Sequence, residues 1–149
     1  MTVKILTDKK DIDLAKDIRI KVFVDEQQVP LHLEIDDLDS KENTVHVGLF
    51  YNNKMVGVGR ILDIGSQNIH LGRIAILKEY RGLGLGEKLV LGMERLACEL
   101  SKRDLVSHLS AQKRAENFYK KLGYKNESEE IYLDAGIEHL DMQKELKFL

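Results

Sequence analysis

The run Arg81-Gly82-Leu83-Gly84-Leu85-Gly86 places a glycine at every second position. A strand-like run, Asn68 to Leu77, precedes it. A helix is expected after it, from about Glu87 to Ser101, with Leu85, Leu89, Met93, Ala97 and Leu100 on one face. A strand that turns through glycines into a helix is a unit of layered α/β domains. Glycine lets the backbone turn tightly and brings N–H groups close to a ligand. The helix that follows leaves its first four N–H groups unpaired, and its dipole favours negative charge there. A phosphate or pyrophosphate is the natural guest. Arg81 and Lys88 are positioned to add charge-assisted contacts. Two common templates fail. Gly86 is followed by Glu87-Lys88-Leu89, without the hydroxyl that a P-loop needs. The Gly-x-Gly-x-x-Gly dinucleotide pattern ends on Glu87 or Leu89, depending on its start. A plain flexible turn is the competing reading.

The rest of the chain fits around this loop. Thr2 to Leu6 reads as a strand, and Asp11 to Phe23 as a helix with Leu14, Ile18 and Val22 four apart beside Ala15. Val24 to Asn43 is acidic, contains the only proline (Pro30), and reads as a loop with one short helix. Thr44 to Phe50 and Met55 to Asp63 alternate like strands around the turn Tyr51-Asn52-Asn53-Lys54. With Asn68 to Leu77 they make three successive antiparallel strands. Asp104 to Ser110 reads as a strand, and Gln112 to Leu122 as a helix that stops at Gly123. Two more strands are expected around Ile131 and over Leu140 to Glu145. The order is that of an α/β domain with a mixed sheet. With 149 residues and no linker-like stretch, residues 1–149 are expected to form one domain.

Two segments carry a family resemblance. Arg81-x-x-Gly84-x-Gly86 is similar to the Arg/Gln-x-x-Gly-x-Gly/Ala signature of the GNAT superfamily of N-acetyltransferases. Ala115-Glu116-Asn117-Phe118-Tyr119-Lys120-Lys121-Leu122-Gly123-Tyr124 resembles that family's Asn-x-x-Tyr element. Arg19 to Gln27, Val29-Pro30, Glu34-Ile35-Asp36, Gly59-Arg60, Gly72-Arg73, Ala111-Gln112 and Gly136-Ile137-Glu138-His139 resemble its small bacterial ElaA/YjcF-like branch. The resemblance implies the acyl-CoA N-acyltransferase fold. That is a mixed, largely antiparallel sheet flanked by helices, with a splay between the fourth and fifth strands. It also implies acetyl-CoA as donor. Its pyrophosphate would rest on the backbone of Arg81, Gly82, Leu83, Gly84, Leu85 and Gly86, and its pantetheine arm along Ile74, Ala75 and Ile76.

Transfer to an amine requires the donor to be held, its carbonyl polarised, the amine deprotonated and the leaving thiolate protonated. The resemblance places Tyr119 as the acid and Asn117 as a cofactor contact. A phenol, with a reference pKa near ~10, holds its proton at neutral pH. The competing reading of Tyr119 is a core aromatic beside Phe118. Some family members carry a glutamate base on the strand before the loop, but Arg73 stands here. Glu138 and His139 are the remaining base candidates, set against a solvated tail or no dedicated base at all. Acceptor charge is open in both directions. Glu26 and the acidic residues after it suit a cation, whereas Arg60 and Arg73 suit an anion.

Composition narrows the alternatives. Lys plus Arg is 23 and Asp plus Glu is 25, which argues against a nucleic-acid partner. One cysteine, Cys98, rules out an intrachain disulfide and a cysteine-rich zinc site; the histidines are scattered, and no metal is expected. No stretch approaches the roughly 20 apolar residues of a membrane span, and MTVKILTDKK lacks a secretory run. The expectation is a cytoplasmic enzyme, with a homodimer possible, acting on a small-molecule or peptide amine. The alternatives are a non-catalytic acyl-CoA sensor and a protein binding another phosphate ligand.

Overall fold

The computed structural model describes residues 1–149. Its elements are β1 (Thr2–Leu6), α1 (Lys9–Arg19), a π-helical stretch (Ile20–Glu26), α2 (Leu31–Glu34), a 3₁₀ turn (Asp37–Ser40), β2 (Val45–Tyr51), β3 (Lys54–Leu62), β4 (Asn68–Ile76), α3 (Leu85–Ser101), β5 (Leu105–Gln112), α4 (Glu116–Lys121), β6 (Lys125–Asn126), β7 (Tyr132–Asp134) and β8 (Ile137–Leu146). The sheet order is β1-β2-β3-β4-β5-β8-β6, with β7 paired to β8. Every neighbouring pair is antiparallel except β4–β5, which is parallel. The expected mixed sheet is therefore present.

Local chemistry sets the boundaries. Asp8 accepts from the Lys10 amide and starts α1 two residues ahead of Asp11. The helix does not stop at Phe23 but continues as a π-helix to Glu26, a variant that apolar spacing cannot distinguish from α. Ala15, Ile18 and Val22 face the core as expected, whereas Leu14 is exposed. Asn52 and Asn53, at φ 51° and 64°, form the tight turn that joins β2 to β3. The expected helix from Gln112 begins later. Gln112 still belongs to β5, a 3₁₀ turn spans Lys113–Ala115, and only then does α4 start.

The sheet has a helix layer on each face. Leu85, Leu89, Val90, Met93 and Ala97 of α3 pack with Val47, Leu49, Ile69, Leu71 and Leu109. Ala15, Ile18 and Val22 cover the other face with Leu6, Val58 and Ala75. Burying the leucine, isoleucine, valine and methionine side chains among these is worth about 1.5–3 kcal/mol each. Gly92 lets α3 approach β1, because a Cβ there would lie 2.7 Å from Val3 Cγ1.

The functional feature of the sheet is a bulge. Val58 pairs with Ala75 and Arg60 with Gly72, so Gly59 alone faces both Arg73 and Ile74. Arg73 takes up the extra residue at φ 50°. The bulge reverses which residues face α3. Ile69 and Leu71 pack there before it, and Ile74 and Ile76 after it, while Ala75 turns to the α1 side.

Candidate active site

β4 and β5 stay paired only from Asn68–Val106 to Leu71–Leu109. The bulge begins immediately afterwards, and the strands part. A cavity of about 330 Å³ occupies the gap. Gly72 to Ile74 form one wall and Leu109, Ser110 and Gln112 the other. Phe23, Gln27, Val29 and Leu33 close it from the π-helix and α2 side, and Tyr119 and the β7–β8 hairpin from the other.

The glycine loop stands beyond the end of β4. Gly82 and Gly84 have φ of 81° and 76°, and Gly84 is the N-cap of α3. The N–H groups of residues 82–87 find no backbone acceptor, and the first pairing is the Lys88 amide to Gly84 carbonyl at 3.4 Å. Nothing lies within 4 Å of a Cβ built at either Gly82 or Gly84. The result is an open cradle of donors at the positive end of a long helix, which suits a pyrophosphate. Arg81 does not point into it. Its guanidinium forks onto Glu26 at 2.8 and 3.1 Å, and its Nε donates to the Ile76 carbonyl at 2.9 Å. Glu26 is thus occupied by the loop, and neither it nor Arg81 lines the cavity.

Tyr119 and His139 lie on elements far apart in sequence and line the same cavity. Tyr119 packs edge-on between Phe118 and Tyr124, and burial pushes its phenol up to about 12. His139 donates from Nδ1 to the Ile137 carbonyl at 2.7 Å and stacks beside Tyr132. A carbonyl can only accept, so Nδ1 carries the proton and Nε2 keeps a free lone pair in the neutral ring. Glu138 alternates to the opposite side of β8, paired in register with the exposed Leu133. Asn117 is exposed on α4 and does not line the cavity.

The acidic segment and the arginines prove to be one network. Arg19 bonds Glu34 at 2.9 Å and Asp39 at 2.7 Å; Arg60 bonds Asp36 at 2.7 Å and Asp39 at 3.0 Å; Arg73 bonds Glu34 at 3.1 Å and Asp36 at 3.2 Å. Three cations meet three carboxylates, so the charges cancel. Arg60 is 4% exposed and sits outside the cavity. Arg73 reaches the wall, but its guanidinium also donates to the Leu33 and Glu34 carbonyls. The two opposite expectations for acceptor charge therefore have one physical outcome: the groups behind them satisfy each other.

Sequence reading gave no site role to Gln27, Gln112 and Asp134, which line the cavity, or to Arg19, which lies behind it. Arg19 anchors the network from α1. Gln112 donates to Gln27 at 2.7 Å across the cavity. Asp134, at the hairpin tip, lines the wall. No local pattern announces pairs separated by 85 residues. The hairpin left a readable trace in Ala135-Gly136, both at positive φ. No group of three or more His, Cys, Asp or Glu is arranged to hold a metal, and no helix is long and apolar enough to cross a membrane.

A sheet splayed beside a glycine loop and a helix N-terminus defines the acyl-CoA N-acyltransferase class. Residues 12–146 match the Acetyltransferase (GNAT) domain family, and the chain belongs to that family of acyltransferase enzymes. It is 38% identical over 128 residues to the uncharacterized N-acetyltransferase YjcF of Bacillus subtilis, covering 86% of this chain and 88% of YjcF. Among solved structures, an acyl-CoA N-acyltransferase from Pseudomonas aeruginosa superposes with a TM-score of 0.84 at 25% identity, over 97% of this chain and 99% of that one. Escherichia coli ElaA shares the fold with a TM-score of 0.84 at 23% identity, over the same shares of the two chains.

Proposed function

We propose that the protein moves an acetyl group from acetyl-CoA to a primary amine by direct attack in a ternary complex. The observation that carries this reading is the convergence of Tyr119 and His139 on the cavity between β4 and β5, next to the donor cradle at residues 82–87. The cradle holds the pyrophosphate through backbone N–H groups. The unpaired edge of β4 from Gly72 onward offers its backbone to the pantetheine arm, with the Ile76 carbonyl already taken by Arg81. His139 Nε2 accepts a proton from the acceptor amine, directly or through one water. The amine nitrogen bonds to the acetyl carbon, and the carbon–sulfur bond breaks. Tyr119 gives its proton to the departing sulfur, and its elevated pKa keeps that proton available at neutral pH. The test is thiol release with appearance of the acetylated amine, measured across polyamines, amino sugars, amino acids and peptides. Acetyl-CoA binding without thiol release for every class would instead favour an acyl-CoA sensor.

A further inference from the structure

The charges on the cavity wall are unevenly matched. Glu34 and Arg73 both line it and bond each other at 3.1 Å. His139 is tied through Nδ1 to the Ile137 carbonyl. Asp134 alone brings a full charge with no counter-ion, since no lysine, arginine or histidine pairs with it. Its position is well defined. Asp134 pairs in register with Ile137 across the two-residue turn Ala135-Gly136, and Tyr132 pairs with His139 two positions further along. Side chains two apart on a strand share a face, so Asp134 stands on the same face as His139. The offset is about 7 Å, two residues of strand rise. Ile137 lies between them on the same face of the hairpin, and Ala135, Phe23, Val29 and Leu33 are further apolar members of the lining.

We propose that Asp134 is a specificity-determining residue, selecting acceptors with a second cationic group about 7 Å from the reacting amine. Aliphatic diamines and longer polyamines are the simplest members of this class. The reacting amine would sit at His139, the methylene chain along the apolar wall, and the distal ammonium at the Asp134 carboxylate. The assignment rests on the acetyltransferase reading for its chemistry, but not for its binding.

The experiment compares putrescine, butylamine and γ-aminobutyrate with the wild type, Asp134→Asn and Asp134→Glu. The side chain of Asp134, whose ladder partner is Ile137, makes no hydrogen bond in the fold, so Asp134→Asn removes charge without breaking the structure. Two readouts are taken: kcat/KM by thiol release, and amine binding by calorimetry in the presence of CoA. Asp134 is exposed at the hairpin tip, so putrescine is expected to exceed butylamine by about two- to fivefold in the wild type, the scale of an exposed ion pair. Asp134→Asn should bring the two to parity and improve γ-aminobutyrate. Asp134→Glu should retain most of the preference, and added salt should shrink it. Equal rates and binding for putrescine and butylamine in the wild type, or a preference that survives Asp134→Asn, would overturn the assignment. The two readings fail separately. Thiol release that ignores Asp134 removes the specificity role and keeps the transferase. Asp134-dependent putrescine binding without thiol release for any amine does the reverse.

Discussion

Arg81 opens the glycine loop by forking onto Glu26 at 2.8 and 3.1 Å, across 55 residues of sequence. The pair links the donor cradle to the π-helical stretch that carries Phe23 towards the acceptor side. Its partners are a third to two-fifths exposed, so solvent screening limits its strength. Glu26→Gln is expected to raise KM for acetyl-CoA about two- to fivefold with little change in kcat, the scale of ~0.2–1 kcal/mol for an exposed ion pair. The effect should fade as ionic strength rises, which steady-state kinetics at two salt concentrations would show.

Asp39 holds the buried network together, touching both Arg19 and Arg60. Asp39→Ala is expected to destabilise the fold by about 3–5 kcal/mol, because two guanidinium groups lose a partner inside the protein. Urea unfolding measures this directly. Burial alone would raise the Asp39 carboxyl, but Arg19 and Arg60 outweigh it and hold it at about 2, against 3.8 ordinarily. The folded value lies below the unfolded one. The stabilisation is therefore complete above about pH 4 and disappears as pH falls towards 2. Acid titration followed by circular dichroism should show the wild type losing stability in that window, and Asp39→Ala losing less.

Tyr119→Phe is expected to lower kcat by about 10²-fold, within the usual range for a general acid, with acetyl-CoA affinity nearly unchanged. The ring packing against Phe118 and Tyr124 is preserved, so the fold should survive. With its phenol at about 12, Tyr119 should contribute no falling limb to the wild-type pH profile below about pH 11. Turnover by Tyr119→Phe equal to wild type would remove the acid role.

Gly84→Leu separates backbone strain from packing. A side chain at Gly84 meets no neighbour, so nothing clashes, but φ of 76° disfavours any L residue. The added side chain would also project into the open space around the cradle. Calorimetry should show acetyl-CoA binding lost, with thermal stability lowered by only about 1–2 kcal/mol. Normal affinity would contradict the pyrophosphate cradle.

Much of this architecture was legible because its signals are local. Glycines at 82 and 84 announced a tight turn, which the chain makes at positive φ, and Leu85, Leu89, Met93 and Ala97 announced the buried face of α3. The Asn52-Asn53 turn fixed a hairpin. Tyr119 and His139 were legible as candidates through the family resemblance, but their meeting depends on where β4 and β5 part. That depends on Arg73 in a bulge, and arginine gives no hint of a positive φ. The charge network was illegible for a related reason. Glu34, Asp36 and Arg60 read as free charges along the chain, and only the tertiary fold brings opposite signs within 3 Å. Asp134 shows the converse, being unremarkable in sequence and identified by the absence of a partner in a wall where the other charges are matched.

The most direct test of the account is mass spectrometry of the amine after incubation with acetyl-CoA, read beside thiol release for the wild type, Tyr119→Phe and His139→Ala. The prediction is one acetyl group added per thiol released, with both signals falling together by about 10²-fold in each variant. Thiol release without acetylated amine, or full activity in both variants, would contradict the claim that the cavity between β4 and β5 carries out acetyl transfer.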